Sequence, residues 1–115
     1  MDLNFAVLVG RLAGTPKLRR RSGTPQTVVL QLAVRRPVRE GEQQPALIDL
    51  VNVAVEGKHA ARLAEHLVED RRIIVGGRLE HRQTKDAGTP TLHLVATTVQ
   101  LLEPGGPPPT DEPAP

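Results

Sequence analysis

Arginine offers most of the chemistry in this sequence, and it is concentrated in the front part of the chain. Residues 1–39 hold eight arginines or lysines and a single acid, Asp2. A guanidinium group pairs with phosphate through two parallel hydrogen bonds, so a basic segment of this kind favours a polyanionic partner. The candidate contacts to such a partner are Arg11, Arg19, Arg20, Arg21, Arg35, Arg36, Arg39, Lys58, Arg78, Arg82 and Lys85.

The formal net charge of +2 understates this asymmetry, because acids collect near the end of the sequence. Glu103, Asp111 and Glu112 lie in the last stretch, where no base accompanies them. The residues before them therefore carry fifteen basic side chains against ten acidic ones. Arginine-rich sequences also arise from genome composition or heat adaptation, so charge alone does not establish the partner.

Other reactive groups are scarce. The sequence has no cysteine, which excludes disulfides and thiolate metal sites. Asp49 and Glu56 fall on opposite faces of one strand, so they make a poor acid–base pair. The glycines form no phosphate-binding loop, and the histidines lack the spacing of a zinc site: His59, His66, His81 and His93. We expect no enzyme activity, no metal and no cofactor.

Alternating apolar and polar residues define the elements that position the basic side chains. Strands are predicted over residues 4–12, 26–35, 47–56, 72–82 and 91–102, with a loop at 13–16, a basic turn at 17–25 and a hairpin turn at 85–88. Helical spacing of Ala60, Leu63, Ala64 and Leu67 predicts one short helix within residues 59–68. The order is three strands, a helix and two strands.

This order is typical of an OB-fold, an all-β, five-stranded barrel with a helix between strands 3 and 4, although another small five-stranded barrel would give the same pattern. We place the folded domain at residues 1–103 and predict a disordered, proline-rich tail at 104–115. No stretch approaches the roughly 20 apolar residues of a membrane span, and no signal peptide is evident. A cytoplasmic protein without membrane association is expected.

Strand periodicity also sorts the candidate cations by face. On the second strand, Arg35 falls on the side away from the apolar residues. The fourth strand collects its arginines on one side: Arg72, Arg78 and Arg82. Glu56 and Glu80 lie on that same side and lower its positive charge. A charged strand face of this kind is also typical of a surface with no ligand.

Several short motifs follow one another in order across residues 4–102. They are Val7–Leu12 with Pro16 and Leu18-Arg19, Ser22–Thr24 with Leu32–Val34, Val51–Lys58, Val75–Leu79 and Val99–Leu102. Together they resemble the bacterial single-stranded DNA-binding protein family. The resemblance implies an OB-fold, single-stranded DNA as partner, work in replication, recombination or repair, and a homo-oligomer, a tetramer rather than a dimer.

Departures from the family concern the side chains that stack on bases. Family members carry aromatic residues at positions that correspond here to Arg36, Leu50, Glu56 and Thr84. Phe5 is the one aromatic residue of this chain. The acidic tail tip with which the family recruits partner proteins is also absent, since Asp111–Pro115 has two acids and no hydrophobic end.

The resemblance and these departures leave two hypotheses open. The first is a sequence-independent single-strand binder that relies on contacts from arginine and lysine to phosphate, with some stacking by guanidinium planes. Such binding should be unusually sensitive to salt. The second is an OB-fold interaction or scaffold paralogue, similar to the primosomal relatives, with little or no DNA binding and partners among replication or primosome proteins.

Overall fold

Five long strands close into a barrel, and each owes its extent to the alternation of aliphatic and polar residues. A computed structural model describes residues 1–19, 27–38, 41, 47–57, 60–82 and 90–102. The elements are β1 (Ala6–Arg19), β2 (Thr27–Arg35), β3 (Ile48–Glu56), α1 (Ala60–His66), β4 (Arg72–Arg82) and β5 (Thr91–Leu101). The predicted turn at 85–88 and tail at 104–115 lie outside the described residues.

The strand order around the barrel is β1, β2, β3, β5, β4. Strand β1 pairs antiparallel with both β2 and β4 and so closes the sheet, while β3 and β5 pair in parallel. Helix α1 lies between β3 and β4 in the sequence. This topology is that of an OB-fold, and it confirms the predicted fold class.

The barrel interior is filled by aliphatic side chains from every strand. The fully buried residues with the largest side chains are Leu12, Leu32, Ile73, Leu94, Val28, Val53 and Val75. Ala60 and Leu67, at the two ends of the predicted helical face, join this core, and Leu63 and Ala64 pack against it. Branched aliphatic residues therefore build a complete core without an aromatic ring.

The first strand is longer than the sequence pattern predicted. We expected β1 to end near Leu12, followed by a loop at 13–16 and a basic turn from Lys17. Instead β1 continues to Arg19 across a register shift between Ala13 and Lys17, and pairing with β2 then resumes. Gly14 adopts a φ of 79° within the irregular stretch, a conformation that glycine reaches without steric cost. Turn-forming residues here make a bulge in the strand.

Two glycines allow neighbouring strands to approach closely. A Cβ atom on Gly10 would collide with the carbonyl oxygen of Ala33 on β2, and one on Gly77 would collide with that of Val95 on β5. Gly77 also borders a register shift between β4 and β5. Strands that bend tightly around a small barrel need such positions without side chains.

Candidate nucleic-acid interface

Strands β2, β3, β5 and β4 present a continuous outward face, defined here as the side opposite the core residues. Its middle is a row of small apolar side chains, Val29, Ala54 and Val95, that lie opposite one another on adjacent strands. Ala54 and Val95 are 1% and 3% exposed although they point away from the barrel interior. The middle of the outward face is therefore apolar and covered by neighbouring side chains.

A row of polar groups lies beside the apolar one. Gln31 Nε2 donates a hydrogen bond to Asn52 Oδ1 across β2 and β3, at 3.4 Å. His93 lies opposite Asn52, is buried, and its Nδ1 donates to the carbonyl oxygen of Thr91 at 3.0 Å. Such groups can hydrogen-bond to bases. Gln31 and Asn52 were not among the predicted contacts, although the alternation of the sequence already placed both on the outward side.

The start of β3 presents apolar side chains that are exposed to solvent. Leu50 and Ile48 are 59% and 60% exposed on the outward side, opposite Ala33 and Arg35 of β2. Leu50 is one of the positions where the family resemblance implies an aromatic ring. An aliphatic side chain here gives a base hydrophobic contact but no ring to stack on.

Two of the cations predicted on β4, Arg78 and Arg82, are neutralised by neighbouring carboxylates. Arg78 forms an ion pair with Glu80, and Arg82 forms one with Glu56 at the end of β3. Arg82 Nη2 also lies 3.6 Å from Glu80 Oε1. These two arginines and two glutamates are called here the acid–base cluster. Its formal charge is zero, so the predicted positive patch on β4 is not formed by these side chains.

Arg36 is also held by a carboxylate. Its Nε and Nη2 donate to Asp49 Oδ2 and Oδ1, each at 2.8 Å, which ties the end of β2 to the beginning of β3. The hydrogen bonds from Arg36 hold the pKa of Asp49 below its ordinary value, and the charge of the guanidinium adds to that effect. The same contacts raise the pKa of Arg36. Asp49 therefore uses one edge of the guanidinium, the one formed by Nε and Nη2.

Cations of β1, and one beside them on β4, have no ion pair among the described residues. Arg11 lies directly opposite Arg72 of β4, and both are on the outward side. Within the described part of the chain, no carboxylate forms an ion pair with Arg11, Arg72, Lys17 or Arg19. Like charges placed opposite each other repel, and an anion that bridges them would relieve that repulsion. Lys17, which lies opposite the outward residue Val29 of β2, was not among the predicted contacts.

The predicted contact residues thus separate along the barrel. Arg11 lies beside Ala33 near one end of β2, and Arg35 ends that strand opposite Ile48. Arg19 lies at the other end of β2, opposite Thr27. The remaining predicted contacts and one position of an expected aromatic lie outside the described residues: Arg20, Arg21, Arg39, Lys58, Lys85 and Thr84.

Neither metal nor membrane features occur in what the structure describes of the chain. Among those residues, no group of three or more histidine, aspartate or glutamate side chains is arranged to hold a metal ion. No helix there has the length and apolar character to cross a bilayer. The chemistry of the outward face is that of guanidinium, carboxylate, amide and aliphatic groups.

A closed OB-fold barrel with an amide-lined outward face and exposed arginines defines a class of protein, the nucleic-acid-binding OB-folds. Residues 3–102 match the model of the single-strand binding protein family. The chain belongs to this family.

Individual relatives agree with the family match. The chain is 35% identical over 106 residues to single-stranded DNA-binding protein 3 of Clostridium acetobutylicum, covering 88% of this chain and 72% of that protein. It is 36% identical to single-stranded DNA-binding protein 2 of Staphylococcus aureus, covering 89% and 74%. Against the protein of Halalkalibacterium halodurans it is 33% identical, covering 90% of this chain but 63% of the relative's length, less than two thirds.

Solved structures show the same fold. The single-stranded DNA-binding protein of Thermus aquaticus matches with a TM-score of 0.74 and 28% identity, over 88% of this chain and 50% of that one. A complex of the Plasmodium falciparum single-strand binding protein with single-stranded DNA also gives a TM-score of 0.74, at 21% identity, over 90% and 97% of the two chains. The latter likeness concerns the fold alone.

Proposed function

We propose that this protein is a non-enzymatic, cytoplasmic binder of single-stranded DNA without sequence preference, acting in replication, recombination or repair. The observation that carries the proposal is the match of residues 3–102 to the single-strand binding protein family. The chain spans 72% and 63% of the length of two of its relatives. Activities that depend on the remaining parts of those relatives are outside this proposal.

Phosphate contacts supply most of the affinity in this proposal. Other single-strand binders combine a basic groove with aromatic stacking that contributes about 1–3 kcal/mol per base. Here Leu50 and Glu56 stand at positions where the resemblance implies such rings. Arg11 and Arg72 lie side by side and have no ion pair within the described residues, so they are the best-placed donors for a phosphate. Binding of this kind weakens steeply as salt rises.

The proposal can be tested by the fluorescence anisotropy of a labelled oligo-dT over a salt series. We expect the double variant Arg11→Ala/Arg72→Ala to bind more weakly at low salt. Its slope of log K against log salt should be smaller by about 1.4, since each lost phosphate contact on a single strand removes roughly 0.7. Arg62→Ala, an exposed arginine of α1, is the matched control and should leave the slope unchanged.

Two outcomes would count against this account. If the unmodified protein does not bind oligo-dT at low salt, the proposed function is wrong. If it binds tightly and the double variant keeps the same slope, the strand follows a different path, such as one along Lys17 and Arg19 and the basic residues after them. If the protein binds oligo-dT, a duplex of the same length should bind less tightly.

A second candidate is an OB-fold scaffold paralogue with little or no DNA binding. The neutral acid–base cluster favours it, because the face that the sequence predicted to be basic carries no net charge from those four residues. It predicts a well-folded oligomer that fails to bind oligo-dT even at low salt. The same titration therefore separates the two candidates. Arg11 and Arg72, which have no ion pair in the described part of the chain, favour DNA binding.

A further inference from the structure

The acid–base cluster connects two strands that are not neighbours in the sheet. Arg82 belongs to β4 and Glu56 to β3, and β5 lies between these strands. The ion pair must therefore cross the outward side of β5. His93 and Val95, the outward residues of β5 opposite Asn52 and Ala54, are 6% and 3% exposed. The acid–base cluster therefore lies over the buried outward side chains of β5.

Carboxylates in the cluster use the same donors that a phosphate would use. Guanidinium N–H groups recognise both anions by the same paired geometry. Glu80 pairs with Nε of Arg78. Glu56 pairs with Nη2 of Arg82, and Glu80 Oε1 lies 3.6 Å from the same nitrogen. Before its phosphates can use these same N–H groups, a strand that crosses this face has to displace the carboxylates.

Displacement is possible because the pairs are not deeply buried. The side chains of Arg82 and Glu56 are 29% and 40% exposed, and those of Arg78 and Glu80 are 47% and 33% exposed. Ion pairs at such positions are individually weak. However, a displaced carboxylate remains close to the incoming phosphate and repels it. The cluster therefore lowers affinity without closing the face.

We infer that Glu56 and Glu80 are affinity-setting residues, which hold the phosphate-binding groups of Arg82 and Arg78 and must exchange with the backbone of a bound strand. This inference rests on the proposed function and goes beyond it. It assigns to two acids on the DNA-facing side the role of built-in competitors for phosphate. It also explains why a family member places a carboxylate where the resemblance implies an aromatic ring.

The exchange has a measurable salt signature. When a phosphate replaces Glu56 or Glu80, the displaced carboxylate regains its own counterions, which offsets part of the counterion release from the strand. Glutamine removes the charge and keeps the shape. Glu56→Gln, Glu80→Gln and the double variant should therefore bind oligo-dT about two- to fivefold more tightly per carboxylate, as expected for an exposed ion pair. The salt slope should steepen by up to about 0.7 each.

The matched control is Glu65→Gln on α1, an exposed glutamate outside the cluster, which makes the same change in net charge. It should tighten binding less than either cluster variant and leave the slope unchanged. Because Glu56 and Glu80 lie on different strands, a folding defect in one single variant leaves the other as a test, with thermal melting to confirm that each is folded.

The outcomes distinguish this inference from the proposed function. If the unmodified protein binds oligo-dT and both cluster variants behave like Glu65→Gln, then the acids do not compete with phosphate and the inference is wrong. If the unmodified protein does not bind while Glu56→Gln/Glu80→Gln does, the competition is confirmed and the native chain is better described as a scaffold. If none of them binds, both the inference and the proposed function fail.

Discussion

At the scale of single residues, the ability of the outward face to attract phosphate depends on what its arginines already contact. Arg36 makes a two-pronged contact with Asp49, and Arg82 reaches Glu56. Arg11 and Arg72 face each other without a carboxylate among the described residues. Counting basic residues in the sequence therefore overstates the charge available to a nucleic acid. The pairing of each cation decides how strongly it can attract phosphate.

Leu50 offers a direct test of the missing stacking interaction. We predict that Leu50→Trp tightens binding to oligo-dT by about 1–3 kcal/mol, because an indole on the outward side of β3 would stack on a base. Leu50 is 59% exposed, so the larger side chain meets little resistance. Val68→Trp is the matched control, since Val68 is 60% exposed and follows α1, away from β3. Equal affinities in the two variants would show that the strand does not cross β3.

At the scale of elements, the barrel depends on places where one strand lies against the backbone of the next. We predict that Gly77→Ala lowers the free energy of unfolding by about 1–3 kcal/mol, because its Cβ would collide with the backbone oxygen of Val95. Gly76→Ala should cost less, since its nearest obstacle at 2.9 Å is the side-chain oxygen of Thr98, which can rotate away. Urea unfolding of both variants gives the comparison. A Gly76→Ala variant as unstable as Gly77→Ala would contradict this reason.

Periodicity predicted most of the elements. β2, β3, β4 and β5 lie at the predicted positions, β4 in spite of its register shift, and α1 lies within the predicted residues 59–68. The extension of β1 could not be predicted, because Gly14-Thr15-Pro16 has the composition of a chain reversal. A bulge and a turn use the same residues, and only pairing with β2 decides between them.

The ion pairs of the candidate site could not be predicted from the sequence, for a different reason. Alternation placed Arg78, Arg82, Glu56 and Glu80 on one side, which the structure confirms. It could not show that Arg82 reaches Glu56, because those residues lie on strands that are separated by β5. Such contacts depend on how strongly the sheet coils, which is a property of the whole barrel.

At the scale of the whole molecule, the outward side of β1 bears on assembly. Phe5, Val7 and Val9 are 65%, 54% and 44% exposed at alternate positions, next to the half-buried Ile74 of β4. An apolar strip of this kind is more often covered by another subunit than left in water. We propose a homo-oligomer with this strip at an interface between copies, and a tetramer rather than a dimer.

Assembly can be measured by light scattering at micromolar concentration. We predict a mass near four times the 12.5 kDa of one chain, and a smaller assembly for Val9→Lys, since a charge in the strip would have to be buried. Val68→Lys, at an exposed position after α1, is the control and should leave the mass unchanged. A monomer mass for the unmodified protein would rule out this proposal.

The exposed start of β3, which carries no aromatic ring, also has an optical consequence. With no tryptophan, no tyrosine and one phenylalanine, the chain is almost transparent in the near ultraviolet, where nucleobases still absorb. A strand lying against Leu50 could be followed through the change in absorbance of its own bases, with little background from the protein. Conversely, an indole placed at this position would be the one fluorophore of the molecule, so that quenching of its emission would report directly on a base passing over β3.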